Sequence, residues 1–187
     1  MTVQTPPSAG PGMARDVAAS PFSLDLDELE PGQRFATRGR TITEADVVSF
    51  AALTGDRHPQ HVDVAWAAES RFGERVAHGM LVLSYAVGLV PLDPDRVLAL
   101  RRVREAVFKR PARLGDTVHV EGRIDEVKPL DEAAGLVATG WRVVRQDGAT
   151  LARVAVDVIW RRDGSPERAL SDAHGGPEAP EALVVPL

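Results

Sequence analysis

The sequence predicts an α+β domain, a largely antiparallel sheet of about five strands wrapped around one buried helix. Three observations predict it. Met80 to Val90 is apolar on nearly every side and carries no charge, which marks a helix enclosed by other elements. From Thr117 onward, apolar residues recur at alternate positions, the spacing of half-buried strands. Leu114-Gly115-Asp116 and Asp147-Gly148 supply the turns that short antiparallel connections need.

Taken in order, residues 1 to about 22 are rich in Pro and Gly and poor in apolar side chains, so a disordered N-terminal tail is expected. A short strand near Phe35 to Arg40 opens the domain. Thr43 is placed to cap a helix, with Asp46 three residues on completing a shortened capping box. Val47, Phe50 and Ala51 follow at helical spacing, and Gly55 ends the helix. Asp63 caps a second short helix carrying Trp66, Ala67 and Ser70, and Gly79 opens the third, running to about Val90. Val97 to Arg110 reads as a charged strand. Thr117 to Glu121 with Ile124, Leu136 to Val144, and Thr150 to Trp160 complete the sheet. From Asp163, repeated Gly and Pro break every period, so 163–187 is expected to be a flexible tail and 23–162 the folded domain.

The bulk properties narrow the function classes. At 187 residues, 44% hydrophobic and 26% charged, the chain has the balance of an ordinary soluble domain. A net charge of −5 argues against non-specific nucleic-acid binding. Basic residues nonetheless cluster at Arg101, Arg102 and Arg104 and at Lys109, Arg110 and Arg113, which suits an anionic substrate. With no cysteine, thiolate chemistry, disulfides and Cys-based metal sites are out. No secretory pattern is visible, and Met80 to Val90 is about half of the roughly 20 residues a spanning helix needs. A cytoplasmic protein that contacts neither membrane nor nucleic acid is the expectation.

The chemistry concentrates in Thr54-Gly55-Asp56-Arg57-His58-Pro59-Gln60-His61-Val62-Asp63, followed by Ala77-His78-Gly79-Met80. Asp56 and His61 form a candidate acid/base pair, because imidazole exchanges protons near neutrality and a carboxylate orients a water. Pro59 stiffens the loop between them. Gly79, at a helix start, offers an unpaired amide at the positive end of the helix dipole, suited to an oxygen that gains negative charge. Each residue also has a plainer reading: Asp56 as a turn residue, His61 as a hydrogen-bonded core histidine, Gly79 as a packing glycine, His78 as a structural partner and Ser84 as a back-bonded helix serine. The joint arrangement favours chemistry. His58, His61, Asp63 and His78 are metal-ligand types, but no H-E-x-x-H helix is present, so no metal is expected. Walker, G-x-G-x-x-G and G-x-S-x-G signals are absent.

These segments, with Phe72-Gly73 and Phe108-Lys109-Arg110-Pro111-Ala112-Arg113-Leu114-Gly115-Asp116-Thr117, resemble the MaoC-like dehydratases, the hot-dog-fold (R)-specific enoyl-CoA hydratases. The resemblance spans roughly residues 25–162. It implies an antiparallel sheet around one long helix, a homodimer, no cofactor, and interconversion of a 2-enoyl and a (R)-3-hydroxyacyl thioester of CoA or acyl carrier protein, as in fatty acid metabolism. Carried over by position, Asp56 and His61 become the catalytic pair, Gly79 the donor to the thioester oxygen, and Ser84 and His78 substrate contacts. The family usually has Asn where this chain has His58. Two other readings use the same fold: a non-catalytic thioester-binding subunit and an acyl-CoA thioesterase.

Overall fold

The computed structural model describes residues 21–163; most of both expected tails, including the apolar Ala182–Leu187 end, lies outside them. Pro21 and Phe22, the last residues of the expected N-terminal tail, sit in a 3-10 turn (Pro21–Ser23) and are buried. A second turn, Leu26–Glu28, is capped by Asp25.

Among the described residues four helices follow. Helix α1 spans Glu44–Thr54 with the expected Thr43–Asp46 capping box, and ends at Gly55 in the left-handed region, φ 77°. Helix α2, Pro59–Val62, is a single turn that apolar periodicity is too short to reveal. Helix α3, Val64–Glu69, is capped by Asp63, whose carboxylate accepts the Trp66 amide at 3.0 Å. Helix α4 spans Gly79–Leu89 and lies against the sheet.

Among the described residues the sheet has six strands: β1 (Arg34–Ala36), β2 (Arg40–Thr41), β3 (Val97–Phe108), β4 (Thr117–Pro129), β5 (Ala134–Arg145) and β6 (Thr150–Arg161). Their order is β1-β4-β5-β6-β3, with β2 also on β4, and every pairing is antiparallel. The single opening strand expected near Phe35 is thus two short pieces, both pairing with β4. Val118, Val120, Val137, Val143, Val156 and Val158 bury the face that meets α4. This sheet curled around one helix is the hot-dog arrangement.

Two details shape the site. α4 is buried through Leu81, Val82, Leu83, Tyr85 and Ala86, but Met80 is 60% exposed, and Ser84 and Gly88, each one turn further on, also face outward. At the other edge, β3 leaves Leu98, Leu100, Val103, Val107 and Phe108 exposed along a strand with one unpaired side. The arginines beside them are sorted: Arg102 and Arg104 both bind the fully buried Asp157, each at 2.7 Å, while Arg113 pairs with Glu74 at 3.1 Å. Arg96 joins the first and last parts of the described residues, 3.1 Å from Asp25 and 2.7 Å from Asp163. Among the described residues, no helix is long and apolar enough to cross a membrane.

Candidate active site

The left-handed turn at Gly55 releases the chain from α1 into the loop that carries Asp56. Pro59 then opens α2 at its first position, where a missing amide hydrogen costs nothing, and His58 caps that turn through Nδ1, which accepts the Gln60 amide at 3.3 Å. The ring of His58 stands edge-on to Trp66 at 5.5 Å. Capping is the task an asparagine does well, so the departure from the family pattern keeps a capping side chain in place.

His61 ends the single turn of α2 and is buried. Its Nδ1 lies 2.6 Å from the Val76 carbonyl. A carbonyl only accepts, so Nδ1 carries the hydrogen and Nε2 keeps a lone pair. The Gln60 side-chain amide sits 3.0 Å from that Nε2 and donates to it. Burial pushes the His61 imidazole below its ordinary pKa. The Val76 carbonyl acts the other way, the neighbouring His78 lowers it further, Asp56 raises it and His58 lowers it. The net effect favours a neutral base.

His78 is buried and stacks on His61, ring centroids 3.8 Å apart and planes 25° from parallel. Its Nε2 donates to the backbone carbonyl of Asp56 at 3.0 Å. Asp56 itself is exposed. Asp56, His61 and His78 thus form one group, each presenting a nitrogen or carboxylate oxygen within 4.8 Å of the others. The group does not suit a metal ion. Imidazole lone pairs lie in the ring planes, so two stacked, nearly parallel rings do not aim at one centre, and one nitrogen of each is committed to a carbonyl.

His78 is also the residue immediately before α4 and gives that helix no side-chain cap. The Gly79 amide, in the first turn, therefore has no acceptor within the helix. A Cβ on Gly79 would lie 2.9 Å from the Phe108 ring, so any larger residue makes that ring shift. Ser84 stands apart from the group: it is exposed and donates to the Met80 carbonyl at 2.8 Å, the back-bond its position in a helix favours. Sequence reasoning missed two neighbours, Gln60 and Phe108. Gln60 lies inside the acid–base stretch, and Phe108 opens the Phe-Lys-Arg-Pro segment; both were visible, but neither bears a group that titrates.

Comparison with known proteins points one way. Residues 27–144 match the family described as MaoC like domain. The chain is 44% identical over 101 residues to Protein MaoC of Klebsiella aerogenes, covering 54% of this chain but only 30% of that longer protein. It is 36% identical over 137 residues to the 3-hydroxybutyryl-CoA dehydratase of Methylorubrum extorquens, covering 70% of this chain and 84% of that one. Among solved structures, an unliganded R-hydratase from Pseudomonas aeruginosa superimposes with a TM-score of 0.62 at 33% identity, covering 74% of this chain and 86% of that chain.

Proposed function

The chain belongs to the MaoC-like domain family, and from that premise we propose that it is a hydratase/dehydratase interconverting a 2-enoyl thioester and a (R)-3-hydroxyacyl thioester. One observation carries the reading: Asp56 and the neutral, lone-pair-bearing Nε2 of His61 belong to one compact group immediately before the free amide of Gly79. That is an acid/base pair, a place for a water and an oxyanion donor.

In the hydration direction, a water takes the place of the Gln60 amide at His61 Nε2, with its second hydrogen on the Asp56 carboxylate. Nε2 takes one proton as the water oxygen adds to the β-carbon. The electron pair of the double bond moves toward the thioester carbonyl, whose oxygen the Gly79 amide holds. The imidazolium then returns its proton to the α-carbon on the same face, so H and OH add syn and the enzyme is restored. Dehydration runs the same steps backward. The Val76 carbonyl holds the ring orientation throughout, because Nδ1 keeps its hydrogen in both charge states.

The reading extends to assembly. β3 is a twelve-residue edge strand with exposed Leu98, Leu100, Val103 and Val107, a surface that suits a second copy and supports the reading of a homodimer. Exposed Met80 and Ser84 on α4 face outward, available to substrate or to that partner. The test is hydration of a panel of enoyl-CoA thioesters of increasing length, followed by loss of enoyl absorbance and chiral analysis of the product. Turnover to the (R)-3-hydroxy product supports the reading. Release of free thiol without hydration would make the protein a thioesterase, and binding without turnover a non-catalytic subunit.

A further inference from the structure

Asp56 sits on an exposed loop, and its position has to be held by something. Its amide donates to the Thr54 hydroxyl at 3.3 Å, and its carboxylate accepts the His58 amide at 3.3 Å; both partners lie within two residues of it. Among the described residues, one hydrogen bond ties Asp56 to a distant part of the chain, the 3.0 Å contact from His78 Nε2 to its carbonyl. The same ring stacks on His61 at 3.8 Å and packs its other contacts against Phe50 at 5.0 Å. Its backbone forms the cap position of α4, one peptide from the Gly79 amide. Nδ1 of His78 is buried, with no hydrogen-bond partner among the described residues.

We propose that His78 is a positioning residue that holds the three working parts of the site in register: the Asp56 loop through its Nε2 hydrogen, the His61 ring through the stack, and the Gly79 amide through its backbone. This differs from a substrate contact, the role the family resemblance implied. The Nε2 of this ring is spent on the Asp56 carbonyl and its face on His61, contacts that place it behind those two groups. The inference rests on the hydratase reading for its kinetic consequence but not for its structural one.

Three substitutions separate the functions of the ring. His78→Phe keeps a flat ring over His61 and removes the donor. His78→Gln places an amide hydrogen near where Nε2 stood, whereas the shorter His78→Asn does not reach the Asp56 carbonyl. The Phe and Asn variants are expected to lose roughly 10- to 100-fold in kcat, the cost of a misplaced reacting group, with KM within about threefold of wild type. His78→Gln recovers most of that loss. ¹⁵N relaxation supplies a readout independent of turnover: backbone order parameters at residues 55–58 drop from the rigid range near 0.85 toward about 0.6 in the Phe and Asn variants and hold in the Gln variant. If either donor-less variant does not fold, the other still brackets the donor against His78→Gln; if His78→Gln does not fold, the order at 55–58 in His78→Phe against wild type still decides. A rise in KM with kcat intact would make His78 a substrate contact and overturn the proposal. Equal losses in all three variants, or unchanged order at 55–58 in His78→Phe, would overturn it as well. A wild-type protein that hydrates no enoyl thioester defeats the hydratase reading alone, since the relaxation experiment judges the tether by itself.

Discussion

The carbonyl of Val76 lies 2.6 Å from Nδ1 of His61, and this contact decides which ring nitrogen keeps its lone pair. With Nδ1 bound as a donor, only Nε2 can take a proton from water. Sequence position alone left the acid and base roles of Asp56 and His61 open; in the proposed mechanism this tautomer gives the base role to His61.

A pH dependence follows from the burial of that ring. His61 titrates below its ordinary 6.5 in the folded protein, so the neutral form persists to lower pH than for a free imidazole. The acid limb of a kcat/KM profile is expected at an apparent pKa below 6.5, with activity flat from there toward neutrality. The sign for stability is the same. Between the lowered pKa and 6.5 the unfolded chain binds more protons than the folded one, so the His61 contribution is complete above 6.5, declines as pH falls below it and is lost as pH falls through the lowered value. A profile whose acid limb rises above 6.5 contradicts this environment.

Gly79 is constrained by a neighbour as well as by its amide. In Gly79→Ala the added methyl meets the Phe108 ring at 2.9 Å. A loss of about 1–2 kcal/mol in unfolding free energy is expected, the usual range for overpacking. Adding Phe108→Ala recovers part of that loss, a non-additivity readable by denaturant titration. Equal effects of Gly79→Ala with and without Phe108 would show that the ring does not set the limit.

Asp157 is completely buried between Arg102 and Arg104. Burial alone raises its pKa, but the hydrogen bonds and charges of the two arginines outweigh it and hold the carboxyl below 3.8. Its stabilisation is therefore present above 3.8 and lost as pH falls through the lowered value. Asp157→Asn is expected to cost about 2 kcal/mol, less than a fully enclosed pair because both arginines reach water. Unchanged thermal stability in Asp157→Asn would show that the pair is only local decoration of β3.

The edge of β3 predicts assembly. Val103, nearly half exposed in the middle of the strand, is an apolar residue that a second copy would cover. Light scattering is expected to give about twice 20.1 kDa for the wild type and the monomer mass for Val103→Glu. A wild type that runs as a monomer leaves β3 as an ordinary free edge.

Much of this was legible in the sequence, and the reasons are local. Thr43, Asp46 and Gly55 mark the ends of α1 through backbone chemistry confined to a few residues. The uncharged run from Met80 and the alternation in β4, β5 and β6 report burial directly. What escaped was set by contacts across the chain. The one-turn helix Pro59–Val62 has no period to detect, and the Phe35 to Arg40 region splits because β4 meets it in two places. The helix α4, apolar nearly all round, reads as surrounded on most sides; which side stays open, the Met80–Ser84–Gly88 stripe, is set by how much of its circumference the sheet covers. That Asp56 and His61 lie close together was legible from their type and order, whereas the His78 contact with Asp56 joins residues 22 apart and has no signature in either segment.

The central claim is that Asp56 and His61 act together on one water. The most direct measurement is crotonyl-CoA hydration by the wild type, Asp56→Asn, His61→Ala and the double variant, each first shown to be folded. Each single variant is expected to lose about 10²–10⁴ in kcat, and the double variant little more than the worse single, because the two residues work as a unit. Wild-type rates in both single variants would contradict the account.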